Sequence, residues 1–255
     1  MLALGLAEVF PSLRAYLPTY DRIFTSIKHE VLREFGVNER PSKSGQRQSQ
    51  KVIKEGGPKE AVLALSWTAA FCETAPHKRE CKTQRSGRYD ATHFALHGLW
   101  PKEQYCGNAD YQNVSDDLWQ SLKRIMPGTA SNLHKHEWKK HGSCYSKTPE
   151  RYFADSLRLV LAFNKTDVRD LFFQNIGKHL TTRDIRAAFD KAFGKGAGAR
   201  VLVHCVQDNS RRLIQELRIR LKGDIENAPL PVLLKQARHQ SQGCKGGIID
   251  AVGLQ

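Results

Sequence analysis

The apolar pattern divides the chain into a loosely ordered first quarter and a strongly patterned remainder. Over residues 1–35, Leu13, Leu17, Ile23, Ile27, Val31, Leu32 and Phe35 recur at loose helical spacing. The next stretch, GVNERPSKSGQRQSQKVIKEGGPKE at 36–60, has no apolar face. It is rich in Lys, Arg, Ser, Gln and Gly, which predicts a basic linker. The pattern therefore places a helical and basic extension at 1–60 and a compact domain at 61–255.

Within the domain, AVLALSW at 61–67 is an apolar run of strand length, followed by a cysteine-bounded loop at 72–81. THFALHGLWP at 92–101 alternates and stops at Pro101, which predicts a strand ending in a turn. SDDLWQSLKRIMPG at 115–128 predicts a helix with Ser115 as N-cap, acids in the first turn and a Pro-Gly stop. NLHKHEWKKHG at 132–142 reads as a helix between an Asn132 N-cap and a Gly142 C-terminal glycine. TPERYFADSLRLVLAFN at 148–164 is amphipathic, with Thr148 as cap and Pro149 in the first helical position. VRDLFFQNIG and TTRDIRAAFDKAFG predict two further helices, each closed by glycine. RVLVHCVQ and RLIQELRIRL alternate and predict paired strands joined by DNSR. No internal repeat is present. The mixture predicts an α+β fold, with an antiparallel central sheet and helices packed on one side.

Charge and cysteines narrow the class. The 255-residue chain has a formal charge of +14, which favours a polyanionic partner or serves only solubility. Arg47, Lys51, Lys54 and Lys59 form a tract that either steers such a partner or is a solvated linker. No apolar run reaches membrane-spanning length, so no membrane association is expected. The six cysteines, Cys72, Cys81, Cys106, Cys144, Cys205 and Cys244, include no Cys-x-x-Cys pair, which argues against zinc. Three disulfides in an oxidising compartment is the leading reading, with buried thiols as the alternative. The first residues, MLALGLAEVFPSLRAYLPTYDRIF, make a poor secretory leader, because no basic start precedes the apolar run and Glu8 and Pro11 interrupt it. Either the true leader lies upstream or was removed, or export takes another route, or the compartment reading fails.

The densest chemistry lies in HEWKKHGSC at 136–144. A metal-binding helix places two histidines four apart. Here His136 and His141 are five apart, about 140° from one another on a regular helix at ~100° per residue. An acid–base site fits better. Glu137 and His141 are four apart and share a face, with Lys140 at its border. A carboxylate orients an imidazole and raises its pKa, and a lysine meets developing negative charge. Taken alone, the segment also reads as a solvated ion-pair helix. HGLWP at 97–101 supplies a second histidine, His97, beside Gly98, which gives close backbone access. Trp100 is either a platform for a nucleobase or a core residue. His93, His134, His179, His204 and His239 call for no catalytic role.

HGLWP and HEWKKHGSC together, in this order and each followed by cysteine, resemble the two active-site segments of the ribonuclease T2 family. LALSW and the FCE…PHKREC segment at 63–81 resemble the first strand and loop of its bacterial, periplasmic-type members, and DIRAAFDKAFG and LVHCVQ resemble a later helix and strand. The likeness spans roughly 61–250. It implies an α+β fold with no metal or other cofactor, and His97 and His141 as an acid–base pair. It also implies support of the transition state by Glu137 and Lys140, a phosphate contact from His136, and a base held by Trp100. The implied disulfides are Cys72–Cys81, Cys106–Cys144 and Cys205–Cys244. The implied activity is metal-independent cleavage of single-stranded RNA to 2′,3′-cyclic phosphate ends, sparing DNA, by a monomeric periplasmic or secreted enzyme. A non-catalytic RNA-binding module on the same fold is the alternative. Which histidine is base and which is acid stays open at this level.

Overall fold

The computed structural model describes residues 57–107 and 110–254. The helical pattern at 1–35 and the tract containing Arg47, Lys51 and Lys54 lie outside the described residues. In chain order the elements are β1 (Glu60–Ser66), α1 (Thr68–Thr74), α2 (Arg79–Lys82), β2 (Ala95–Pro101) and α3 (Asp116–Ile125). Next come α4 (Leu133–Glu137), a π-helical segment (Trp138–Gly142), α5 (Ser143–Tyr145), α6 (Pro149–Phe163) and α7 (Asp167–Gln174). The chain continues through β3 (His179–Thr181), α8 (Thr182–Phe193), β4 (Val201–Asp208), β5 (Arg211–Lys222), α9 (Leu230–Gln236) and β6 (Gly246–Ile248).

The six strands form one sheet in the order β2-β1-β5-β6-β3, with β4 also paired to β5. Every pairing is antiparallel except β5–β6, which is parallel. The fold is α+β. β5 is the central strand because its 12 residues are long enough to serve several neighbours. Along it, alternation sends Leu217, Ile219 and Leu221 into the core and puts Glu216, Arg218 and Arg220 on the opposite face.

Two bulges interrupt this regularity. Ala64 of β1 pairs with Gly98 and Leu65 with Leu96, so His97 is an extra residue on β2. The bulge lets both Leu96 and Leu99 enter the core and leaves His97 and Gly98 together on the other face. On β5, His204 pairs with Glu216 and Cys205 with Ile214, which makes Gln215 the extra residue there.

The core packs aromatic residues around the entrance to β2. The Phe94 ring lies 5.3 Å from Trp67, 5.3 Å from Phe163 and 4.6 Å from Phe172, each at a steep angle. Asn164, at the end of α6, clamps the same residue. Its Oδ1 accepts from the Phe94 amide at 3.0 Å, and its Nδ2 donates to the Phe94 carbonyl at 2.8 Å. The Tyr152 hydroxyl accepts from the Leu99 amide at 3.2 Å. Through these contacts α6 fixes both ends of the strand that carries His97.

Several local expectations are corrected. The cysteine-bounded stretch at 72–81 is largely helical: Cys72 lies in α1 and Cys81 in α2. At four and seven residues these helices are too short to show a period. Ser115 occupies the N-cap position of α3, but its hydroxyl donates to Glu150 Oε1 at 2.7 Å instead of capping. Gly142 does not end its helix; it is packed. A Cβ there would come within 2.4 Å of Trp138 and 2.9 Å of Tyr152. Asn132 caps no amide with its side chain and instead takes the left-handed conformation, φ 63°. By contrast, Thr148 and Thr181 cap α6 and α8 through their side chains.

Replacing Phe94 by Ala is expected to lower stability by about 3–5 kcal/mol. Urea unfolding followed by fluorescence measures this; a loss below about 1 kcal/mol would show that the aromatic cluster does not anchor β2.

Candidate active site

The candidate site is built where β2, β5, the last residue of α4 and the π-helical segment meet. A π-turn is a rare, locally unwound conformation, often found at functional sites. Here it alters the regular-helix spacing assumed from sequence for His136, Glu137 and His141. Glu137 and His141 are both buried, at 2% and 4% exposure.

Gly98 allows the two segments to meet. A Cβ at this position would lie 2.0 Å from Glu137 Oε2 and 2.5 Å from Trp100 Nε1. Without one, the Trp100 indole N–H donates to Glu137 Oε2 at 2.7 Å. His141 stacks on the indole with ring centres 5.5 Å apart and planes 26° from parallel. His97 meets the same indole edge-on at 5.1 Å. The Arg218 guanidinium lies 5.5 Å from its ring centre. Trp100, offered by the sequence as a base platform, thus touches both histidines and stays partly exposed. The Cys106–Cys144 disulfide and a 2.8 Å bond from the Tyr105 amide to the Lys140 carbonyl fasten the loop after β2 to the far end of the π-turn.

The nitrogens of His97 face two different carboxylates. Nδ1 lies 2.5 Å from Glu216 Oε2, and Nε2 lies 3.7 Å from Glu137 Oε1. Glu216 Oε1 in turn accepts from Arg218 Nε at 2.6 Å. Burial works against charge on His97, but the hydrogen bond and negative charge of Glu216, with help from Glu137, outweigh it and raise its pKa. Burial favours a neutral Glu216 as well, yet His97 and Arg218 hold its pKa below the usual carboxylate value. Glu137 goes the other way: burial raises its pKa against the opposing influence of His97, Trp100 and Lys140. His141 is lowered to about 4 by burial and by the positive charges of Lys140, His136 and His97. His136 is lowered too, first by burial and then by Lys140 and His97.

The structure therefore gathers His97, Glu137 and His141 around the Trp100 indole, with Lys140 and His136 close enough to act on His141 electrostatically. His136 is exposed and Lys140 partly so. His134 is buried against Tyr111 and Trp119. Cys72–Cys81 and Cys205–Cys244 form the other two disulfides. Among the described residues, no group of three His, Cys, Asp or Glu side chains is placed to hold a metal ion. Sequence reasoning missed Glu216 and Arg218. The available signal was a glutamate inside the alternating strand RLIQELRIRL, whose partner lies 119 residues away.

Two imidazoles in opposed electrostatic settings, beside a buried carboxyl group, are equipped for proton transfer in both directions. The Ribonuclease T2 family profile matches residues 59–230, and the chain belongs to that family. Ribonuclease I of Escherichia coli (strain K12) is 28% identical over an alignment covering 75% of this chain and 86% of that protein. Ribonuclease T2 of Danio rerio is 27% identical over 52% of this chain and 57% of that protein. In fold, the chain is similar to the self-incompatibility-associated SF11-RNase of Nicotiana alata. The TM-score is 0.55 with 20% identity, covering 75% of this chain and 98% of that one. It is also similar to RNase NT in complex with 5′-AMP, with TM-score 0.53, 20% identity and coverage of 76% and 98%. The chain is a T2-type endoribonuclease.

Gly98→Ala is expected to break the Trp100–Glu137 bond and cost about 1–3 kcal/mol of stability. The Trp100 indole N–H resonance should then shift; an unchanged resonance and melting curve would mean the close approach is dispensable.

Proposed function

We propose that this enzyme cleaves single-stranded RNA without a metal, by transphosphorylation to 2′,3′-cyclic phosphate ends. The contact of His97 and His141 with one indole ring, in opposite electrostatic settings, carries this reading. RNA brings its own nucleophile, the 2′-hydroxyl. His141, held neutral near pH 7, takes the hydroxyl proton as O2′ attacks phosphorus. His97, favoured in its protonated form, gives the Nε2 proton to the departing 5′-oxygen as the P–O5′ bond breaks. Nδ1 is engaged by Glu216, which leaves Nε2 for this transfer.

Charge grows on the phosphoryl oxygens during attack. Lys140 and His136 meet it from the rim, and Glu137, whose burial works against its charged form, supports the same oxygens. Trp100 forms the wall on the base side. DNA lacks the attacking group and is spared. Three disulfides support a periplasmic or secreted location. No helix among the described residues is long and apolar enough to cross a membrane. Residues 61–255 constitute the catalytic domain in this reading.

Digestion of RNA in EDTA, followed by analysis of the ends, tests the chemistry. Cyclic phosphates at undiminished rate are expected, and 5′-phosphate ends would reject it. His97→Phe and His141→Phe should each lower kcat by about 10²–10⁴-fold while RNA binding persists. Retained turnover in either variant would remove that histidine from the reaction.

The pH profile follows from the two shifts. The base must be neutral, so the rate should fall as pH drops through about 4, where His141 protonates. The acid must be protonated, so the rate should fall again as pH rises through the raised pKa of His97. A kcat/KM profile with no alkaline decline, measured on a dinucleotide substrate, would overturn the assignment of His97 as acid.

A further inference from the structure

Resting on the cleavage reading above, we propose that Glu216 is a positioning residue: locked by Arg218, its carboxylate holds the His97 ring so that the Nε2 proton points at the scissile phosphate. Glu216 lies on β5, on the face of the strand away from the core residues Leu217, Ile219 and Leu221. It is 4% exposed, and a carboxylate buried that deeply persists in charged form only with strong partners. Both oxygens have one: Oε2 accepts a hydrogen bond from His97 Nδ1 at 2.5 Å, and Oε1 accepts one from Arg218 Nε at 2.6 Å.

The backbone of β2 is adapted to this contact. His97 is the extra residue in the β2 bulge, whereas Glu216 keeps the regular alternation of β5 opposite β1. Bulges re-aim side chains. Here the bulge turns the His97 imidazole toward the carboxylate that alternation places on the same face of β5, with β1 between the two strands. Fixing one ring nitrogen by a carboxylate determines the tautomer and orientation at the other.

The other groups facing His97 leave this role to Glu216. Glu137 faces Nε2 from 3.7 Å, beyond hydrogen-bond range, on the side open to the cleft. Arg218 adds positive charge but is turned to Glu216 Oε1 and to the Trp100 ring. His136 and His141 contribute positive charge only when protonated, and both are held below their ordinary pKa. From β4, His204 pairs across from Glu216 and is likewise held low, first by burial and then by Arg218.

The test is Glu216→Gln, which keeps the shape and removes the charge. Its readout is the titration of the His97 ring by NMR in the free enzyme, together with the pH profile of kcat/KM. The His97 pKa should fall relative to the unsubstituted enzyme, and the alkaline limb of the profile should move to lower pH by the same amount. At the optimum, kcat should drop about 10–100-fold with KM little changed. A superimposable titration and profile, with only a lower melting temperature, would make Glu216 structural and overturn the proposal. If the Gln variant does not fold, Glu216→Asp serves: it keeps the charge but withdraws the carboxylate, so kcat should fall while the His97 pKa stays elevated. Full kcat in the Asp variant would overturn the proposal equally. The titration needs no turnover, so failure of the cleavage reading would appear separately, as absence of cyclic phosphate from the unsubstituted enzyme.

Discussion

The site depends on the approach of one carboxylate to one strand. Glu137 reaches β2 because residue 98 has no side chain, and there it receives the Trp100 indole proton. That bond joins the sheet to the end of α4, directly before the π-helical segment, and both histidines lie against the indole it holds. His141 stacks on the same indole, and His97 stands edge-on to it. Burial makes the joint consequential. A carboxyl group at 2% exposure, 3.7 Å from one imidazole and bonded to the indole on which the other stacks, turns small geometric differences into large differences in proton affinity.

The same burial sharpens the electrostatic contrast between two chemically identical side chains. His97 is balanced by the negative charge of Glu216, whereas His141 is surrounded by positive charge from Lys140 and its neighbours. In the proposed reaction, these opposed environments poise one ring to give a proton and the other to take one. The sheet provides the rigidity. α6 clamps the ends of β2 through Asn164 and Tyr152, and the aromatic cluster around Phe94 holds the strand against the core. The Cys106–Cys144 bridge ties down the other side of the cleft.

Much of this was legible in the primary structure, where the signal was local. A short apolar run located β1, alternation located β2, β4 and β5, and Thr148 marked the start of α6 because capping is a contact within one turn. HGLWP and HEWKKHGSC disclosed the residues of the cleft. Features that depend on backbone phase were hidden. A π-turn leaves no mark on residue spacing, and a bulge is visible only once a partner strand fixes the register. Glu216 was hidden for a further reason: the strand that carries it was clear, but its imidazole partner is distant in sequence and close only through the pairing of β1 with both β2 and β5.

The claim that the substrate supplies its own nucleophile can be tested at a single linkage. An RNA oligonucleotide carrying one 2′-deoxy sugar on the 5′ side of a chosen phosphodiester should be cut at every susceptible linkage except that one. Cleavage there at the rate of its neighbours would contradict the account.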